Sequence, residues 1–328
     1  MRILTQISKN FSDKRSSMFK TIMPLSAILS LRFLGLFLVL PVLSVYAMGM
    51  EGATPLLVGV IVGGYALTQA LFQVPFGTIS DKIGRKPTLF VGLLIFLVGS
   101  VIAALSTDIY MLMVGRFLQG AGAIGAVVTA MISDLVPEEV RGKAMAMMGG
   151  TIAISFAVAM GLGPVLGGAY GVDFLFWITA GLAVGAMLLL FTKVPTPPRI
   201  HHIYRNTTKN SDIIKDPNLL GMIIINGMQK GLMTVAFVLI PIILTNAVAD
   251  GGFGWETSEL WMAYLPAMIF RLIAMGPAAV FGEKYNKAKQ TILISIGQFI
   301  VAFLLMGLAT YFTLFVLGVL CFFICFKS

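Results

Sequence analysis

Gly77-Thr-Ile-Ser-Asp81-Lys-Ile-Gly84-Arg85-Lys86 is a charged turn set between two long apolar runs, roughly 56–79 and 88–106. A helix that crosses lipid needs about 20 mostly apolar residues, and both runs meet that length. The same alternation of apolar run and polar connector extends outward in both directions. Further runs read at roughly 22–47, 109–133, 142–168, 172–192, 219–245, 258–281, 290–309 and 311–326, ten in all. The 328 residues are 58% hydrophobic and 11% charged, with mean hydropathy +0.95. A soluble domain carries about 25% charged residues. A chain of this size also has too little interior to hide so much apolar surface from water. Composition therefore excludes a soluble enzyme, a nucleic-acid binder and a disordered chain. The fold class is an all-α polytopic membrane protein.

Basic residues give the orientation. They cluster in alternate connectors: Arg2 to Lys20, then Lys82, Arg85 and Lys86, then Arg141 and Lys143. Lys193 to Lys215, then Lys284 to Lys289, and finally Lys327 continue the series. The intervening connectors hold none, so the positive-inside rule predicts that both ends of the chain face the cytoplasm of a plasma membrane. The net charge of +9 is thus a topology signal and not a nucleic-acid footprint. The first apolar run is too long for a signal peptide and reads as a retained span. The longest connector separates six runs from four. The predicted organisation is a cytoplasmic segment 1–21, a six-helix bundle 22–192, a cytoplasmic linker 193–218 and a second bundle 219–328.

Two patterns recur across that linker. Phe37, Pro41 and Ala47 match Phe237, Pro241 and Ala247 at an offset of 200. Pro75, Asp81, Lys82 and Arg85 match Pro277, Glu283, Lys284 and Lys287 at an offset of 202. Together they point to a duplicated half, as in secondary transporters. A six-span unit repeated would need about twelve spans, so the second bundle reads as incomplete, with about four helices, and the chain as cut off within its tenth span.

With these residues in view, the loop from Gly77 to Lys86 resembles the signature loop of the major facilitator superfamily, G-x-x-x-D-[RK]-x-G-R-[RK]. The resemblance implies that superfamily's fold and a cytoplasmic gate built from Gly77, Asp81, Gly84, Arg85 and Asp134. Arg116, Gln119, Gly120 and Gly122, spaced R-x-x-Q-G-x-G, are similar to the family's second motif, whose arginine is associated with proton transfer. Gly163, Pro164, Gly167 and Gly168 look like the antiporter motif G-P-x-x-G-G, with Ala159 where the family usually has glycine. The first run adds likeness to the drug:proton antiporter branch. The function implied is proton-coupled efflux of small molecules by alternating access, by a monomer in the bilayer. Two alternatives stay open: a non-transporting fragment of such a protein, and a ten-span metabolite carrier of five-plus-five design. The latter predicts a break after the fifth span, whereas the long connector follows the sixth.

Charge inside a membrane is costly and marks function by default. Arg32, Arg116, Lys230 and Arg271 fall inside apolar runs, while all 14 carboxylates sit at run ends or in connectors. With Gln69, Gln119, Asn226 and Gln229 these cations are expected to line a central cavity, a basic lining that suits an anionic or polar neutral substrate. Other patterns carry nothing. The G-x-G-x-x-G from Gly120 to Gly125 lies within a span and follows no strand. His201 and His202 are adjacent and lack metal-ligand spacing. Asn206-Thr-Thr208 spells a glycosylation sequon in a connector placed inside the cell. Cys321 and Cys325 lie on one helix face and read as packing residues. No catalytic constellation, metal site, cofactor site or nucleic-acid site is expected.

Overall fold

The computed structural model describes residues 2–195, 217–279, 288–309 and 311–325. Eleven α-helices run through them: α1 Arg2–Met48, α2 Pro55–Ile83, α3 Arg85–Ala104, α4 Ile109–Ala121, α5 Gly125–Leu135, α6 Glu138–Tyr170 and α7 Val172–Thr192, then α8 Pro217–Thr245, α9 Trp261–Ala279, α10 Ala288–Gly307 and α11 Phe312–Cys325. Among the described residues, seven helical segments are long and apolar enough to cross a membrane. The linker residues 196–216, with His201, His202 and Asn206, and the repeat loop with Glu283, Lys284 and Lys287 lie outside the described residues.

Local chemistry sets the helix ends. Thr54 caps α2 by accepting from the Leu57 amide at 3.2 Å, and Pro55 begins the helix. Asp108 caps α4, its carboxylate accepting from the amides of Tyr110 and Met111. Gly84 both ends α2 and starts α3 at φ 107°, a conformation that side-chain-bearing residues rarely adopt. Pro24, Pro41, Pro75, Pro164 and Pro241 lie inside helices, and the carbonyl freed four residues before Pro241, that of Phe237, accepts from Ser44 of α1.

Two features differ from the sequence expectation. First, α1 continues without a break through the polar residues 2–21 and past Pro24 into the apolar run. Second, the fourth span is two helices. Residues 122–124 interrupt it, with close amide contacts from Ala123 to the Ala121 carbonyl (2.8 Å) and from Ile124 to the Gly122 carbonyl (2.9 Å). Packing explains the interruption. A Cβ on Gly122 would run into the Gly92 carbonyl of α3, so the backbone itself is the contact surface. Small residues allow the same closeness along the rest of α3 and α4. A Cβ on Gly99 would stand 2.6 Å from the Gln119 amide nitrogen.

The helices form two lobes, α1–α7 and α8–α11. In the first, α1 lies along α6 and α7, while α3 packs on α4 and α7. Between lobes, α9 and the 3-10 turn Thr257–Leu260 before it pack on α6, and α8 packs on α1 and α2. The apolar core divides accordingly. One cluster draws on both lobes, joining Val42, Leu43, Phe156 and Phe176 to Phe237, Leu244, Tyr264 and Phe323. It occupies the end of the molecule that carries Glu51, Asp108, Asp173 and Glu256. The other cluster, with Ile22, Leu89, Met131, Ala144 and Leu190, holds only first-lobe residues and lies at the Arg85 end. The outward faces are apolar too: Leu71, Val74, Ile154, Leu188 and Phe191 are all exposed, as suits lipid-facing positions.

Candidate functional site

The loop between α2 and α3 builds an ionic cluster. Arg85, the first residue of α3, donates through Nη1 to Asp81 at 2.6 Å and through Nε to Asp134 of α5 at 2.8 Å. It also donates to the Ser80 hydroxyl. The two partners differ in setting. Arg85 and Asp134 are 10% and 11% exposed at the side chain, whereas Asp81 is 59% exposed. Gly84 brings the helix ends together, and its carbonyl accepts from Thr88 Oγ1. Gly77 is half-buried where α2 meets α5, with room for a Cβ 4.0 Å from that of Ala126. Beyond Asp134, Arg141 donates to the Ser133 carbonyl at 3.1 Å. Five predicted gate residues thus come together, and Ser80 joins them.

The four intramembrane cations stand in two settings, two of them buried among first-lobe side chains and two on second-lobe helices. Arg116 is buried within the first lobe and donates to Gln119 Oε1 at 2.7 Å, while Gln119 Nε2 donates to Ser100 Oγ at 2.9 Å. Ser100 in turn donates to the Phe96 carbonyl, and the Tyr65 ring lies 5.1 Å from the Arg116 guanidinium. Arg32 is also fully buried, between the rings of Phe33 (5.5 Å) and Phe96 (5.2 Å). Among the described residues none of its three side-chain nitrogens has a hydrogen-bond partner. A buried guanidinium held only by aromatic faces is expensive, and cation–π attraction offsets part of that cost. Gln69 is half-buried on α2.

Lys230 and Arg271 sit elsewhere, where the lobes meet. The Arg271 guanidinium of α9 lies 5.2 Å from the Phe156 ring of α6, and Lys230 is carried by α8, which packs on α1 and α2. Asn226 and Lys230 are exposed, one turn apart, and Gln229 is half-buried. Phe156 is a meeting point for the internal repeat. Phe37 meets it edge-on at 4.6 Å and Phe237 at 6.1 Å, with interplanar angles of 87° and 89°. The offset of 200 residues thus relates two rings that grip the same third ring.

The Gly163–Gly168 stretch is a set of close approaches. A Cβ on Gly163 would strike the Leu38 carbonyl of α1. A Cβ on Gly167 would stand 3.2 Å from Leu175 Cδ1, and one on Gly168 2.7 Å from Ser258 Cβ of the second lobe. Pro164 is buried inside α6. Close by, Tyr46 donates to Asp173, and a cavity of about 370 Å³ lies between them and Glu256. The Ser44 hydroxyl reaches the Phe237 carbonyl across the lobes at 3.4 Å. From residue 22 onward every carboxylate among the described residues lies near a helix end or in a connector, and none of them clusters as a metal site would.

Sequence reasoning missed Ser80, Tyr65, Ser100, Phe156 and Ser258. Ser100 had a signal: with Gly92, Phe96, Gly99 and Ala103 it follows the three- and four-residue spacing of one helix face. Ser258 and Phe156 had none, because their roles depend on how the lobes dock.

Residues 25–327 match the model of the Major Facilitator Superfamily. The chain belongs to that superfamily. Within it, the chain is 40% identical over 310 residues to the inner membrane transport protein YajR of Escherichia coli K12, covering 92% of this chain and 66% of YajR. It is 27% identical to the class E tetracycline resistance protein of Escherichia coli, over 85% of this chain and 70% of that protein. The chain therefore spans about two thirds of the length of these relatives. Among solved structures, a bacterial homolog of the human lysosomal transporter Spinster aligns with a TM-score of 0.72 at 16% identity, over 95% of this chain and 72% of the other. That likeness speaks to the fold alone. The chain is a helical integral membrane protein with the major facilitator fold.

Proposed function

We propose that this chain carries out secondary active transport, exporting small solutes against protons by alternating access. The observation that carries the reading is the asymmetry of packing between the lobes. At the end bearing Asp173 and Glu256 the two lobes share one apolar core, while at the Arg85 end the described core belongs to the first lobe alone. A two-lobed membrane protein sealed at one end is the arrangement that rocking about a midplane site requires. The cluster of Lys82, Arg85, Lys86, Arg141 and Lys143 supports a cytoplasmic location for the Arg85 end.

In this reading Asp81, Arg85 and Asp134, with Gly77 and Gly84, form the gate that closes the cytoplasmic end. Gly163, Pro164, Gly167 and Gly168 seal the opposite end through backbone-close packing. The Arg116–Gln119–Ser100 chain is a proton-linked element within the first lobe, with Arg32 and Gln69 nearby in the same bundle. The protein works as a monomer of the plasma membrane with a cytoplasmic N-terminus and performs no covalent chemistry. The residue pattern of the antiporter motif supports export over import.

The test is solute-driven proton flux in proteoliposomes under an imposed pH gradient, read with a trapped pH dye over a panel of organic solutes. The native chain is expected to release protons on solute addition. Asp81→Asn is expected to insert normally and to lose that release. Flux indifferent to every solute, or unchanged in Asp81→Asn, overturns the reading.

A further inference from the structure

The sequence places four cations in the membrane, and the fold separates them by use. Arg32 and Arg116 are sealed inside the first lobe. Lys230 and Arg271 stand at the junction of the lobes, on helices from the second lobe that face the first. We propose that Lys230 and Arg271, with Asn226 and the ring of Phe156, form a binding site for amphipathic organic anions: a carboxylate or sulfonate carried on an aromatic body. The proposal deepens the transporter reading and rests on it for the consequence of binding, though not for the binding chemistry.

The placement comes from helix phase. Residues 226, 230, 234 and 237 of α8 repeat at near-helical spacing and share one face. Two of them touch the first lobe. A Cβ on Gly63 of α2 would stand 3.6 Å from Thr234 Cγ2, and the Phe237 carbonyl accepts from Ser44. Asn226 and Lys230 therefore continue the same face toward the Arg85 end, and both are exposed there. Arg271 reaches the same junction from α9, stacked on Phe156.

The chemistry selects the ligand class. Lys230 and Arg271 carry like charges, which repel, at one junction: Lys230 lies about two turns along α8 from Phe237, whose ring meets the Phe156 ring at 6.1 Å, and Arg271 lies over that same Phe156 ring. An anion placed between them removes that repulsion, and a cation adds to it. A guanidinium stacked on a ring uses its flat face for the ring and meets an oxyanion through its edge. The carboxamide of Asn226 supplies a neutral donor one turn from the ammonium. Beside this polar set the wall is aromatic. Phe33 and Phe37 are half-buried, stacked at 5.3 Å, and Phe37 abuts Phe156. A polyol or an inorganic anion would leave that wall unused, whereas an aromatic acid engages both parts.

The experiment measures binding to the whole chain in nanodiscs of neutral phosphatidylcholine, with 2-naphthoate and naphthalene-2-sulfonate against 2-naphthylmethylammonium. Saturable 1:1 binding of the two anions, at least about tenfold tighter than the cation, is expected. Lys230→Gln and Arg271→Gln should each weaken anion binding about ten- to hundredfold, as loss of one charge-assisted contact does. Asn226→Asp, which sets a carboxylate one turn from Lys230, should weaken the anions and strengthen the cation. Thermal melting in the same nanodiscs identifies a variant that has not folded, and in that case the Asn226→Asp reversal decides. Equal binding of anion and cation, no saturable anion binding, or unchanged selectivity in Asn226→Asp overturns the site. Selective anion binding without proton-coupled flux keeps the site and overturns the transporter reading. Flux with another solute class and no anion selectivity does the reverse.

Discussion

Arg85 Nε donates to Asp134 Oδ2 across 2.8 Å, tying the first residue of α3 to the last turn of α5. The same guanidinium also holds Asp81, but that carboxylate is far more open to solvent. The two ion pairs should therefore differ in energy. Asp134→Asn leaves a nearly buried guanidinium short of its closest sheltered partner and should cost about 3 kcal/mol. Asp81→Asn, on an exposed i, i+4 pair, should cost no more than about 0.5 kcal/mol after solvent screening. Unfolding of the purified protein in mild detergent measures both. Equal losses would mean that the two acids share the load, contrary to their burial.

Gln119 accepts a hydrogen bond from buried Arg116 and is itself fully buried. Gln119→Leu keeps the volume and removes both of its contacts, to Arg116 and to Ser100. The expected loss is about 2–3 kcal/mol, because a buried charged donor is left without that acceptor. Gln119→Glu should behave differently, since a carboxylate pairs with the guanidinium. Melting temperatures of the two variants decide the point: Leu below Glu is the expected order.

Gly168 has no room for a side chain, because a Cβ there would stand 2.8 Å from Ser258 Cα and 2.9 Å from its nitrogen. Gly168→Val should wedge the lobes apart at that end. The readout is reaction of Asp173→Cys with a membrane-impermeant maleimide, which should rise severalfold. Adding Ser258→Gly to the Gly168→Val variant should restore little, since the backbone is the obstacle. Unaltered labelling would show that the contact does not seal that end.

Two glycines on α2 and its cap offer a paired test. Gly84 has φ 107°, so Gly84→Ala should destabilise by about 1–3 kcal/mol. Gly59 lies within the helix with nothing within 4 Å of an added Cβ. Gly59→Ala should stabilise by up to about 1 kcal/mol through helix propensity. Thermal scans in one detergent give both signs.

Much of the fold was legible because lipid forces a simple grammar on sequence. Apolar runs must reach across hydrocarbon, and charges must collect where the chain turns, so span positions and connector charges could be read directly. The ionic cluster was readable for a similar reason: Asp81, Gly84 and Arg85 are local, and a glycine with that backbone fixes their geometry. What stayed hidden depended on how separate helices meet. A helical spacing rule cannot say that Arg116 turns inward to Gln119 while Arg271 turns outward to Phe156. Nor does hydropathy register the interruption at residues 122–124, since Gly122, Ala123 and Ile124 are as apolar as their neighbours. Depth along each helix could be read, but azimuth around it was set by packing against small residues such as Gly92 and Gly99.

The three-residue interruption separates two rods. α4, with Arg116 and Gln119, is bolted to α3 through glycine contacts, while α5 carries Asp134 at its far end. A rigid span would transmit any tilt at Asp134 straight to Arg116. Here an elbow stands between them, its backbone buried against α3 and hidden from hydrocarbon. The half that grips Arg85 and the arginine–glutamine half are thus joined by three non-helical residues and not by one unbroken rod.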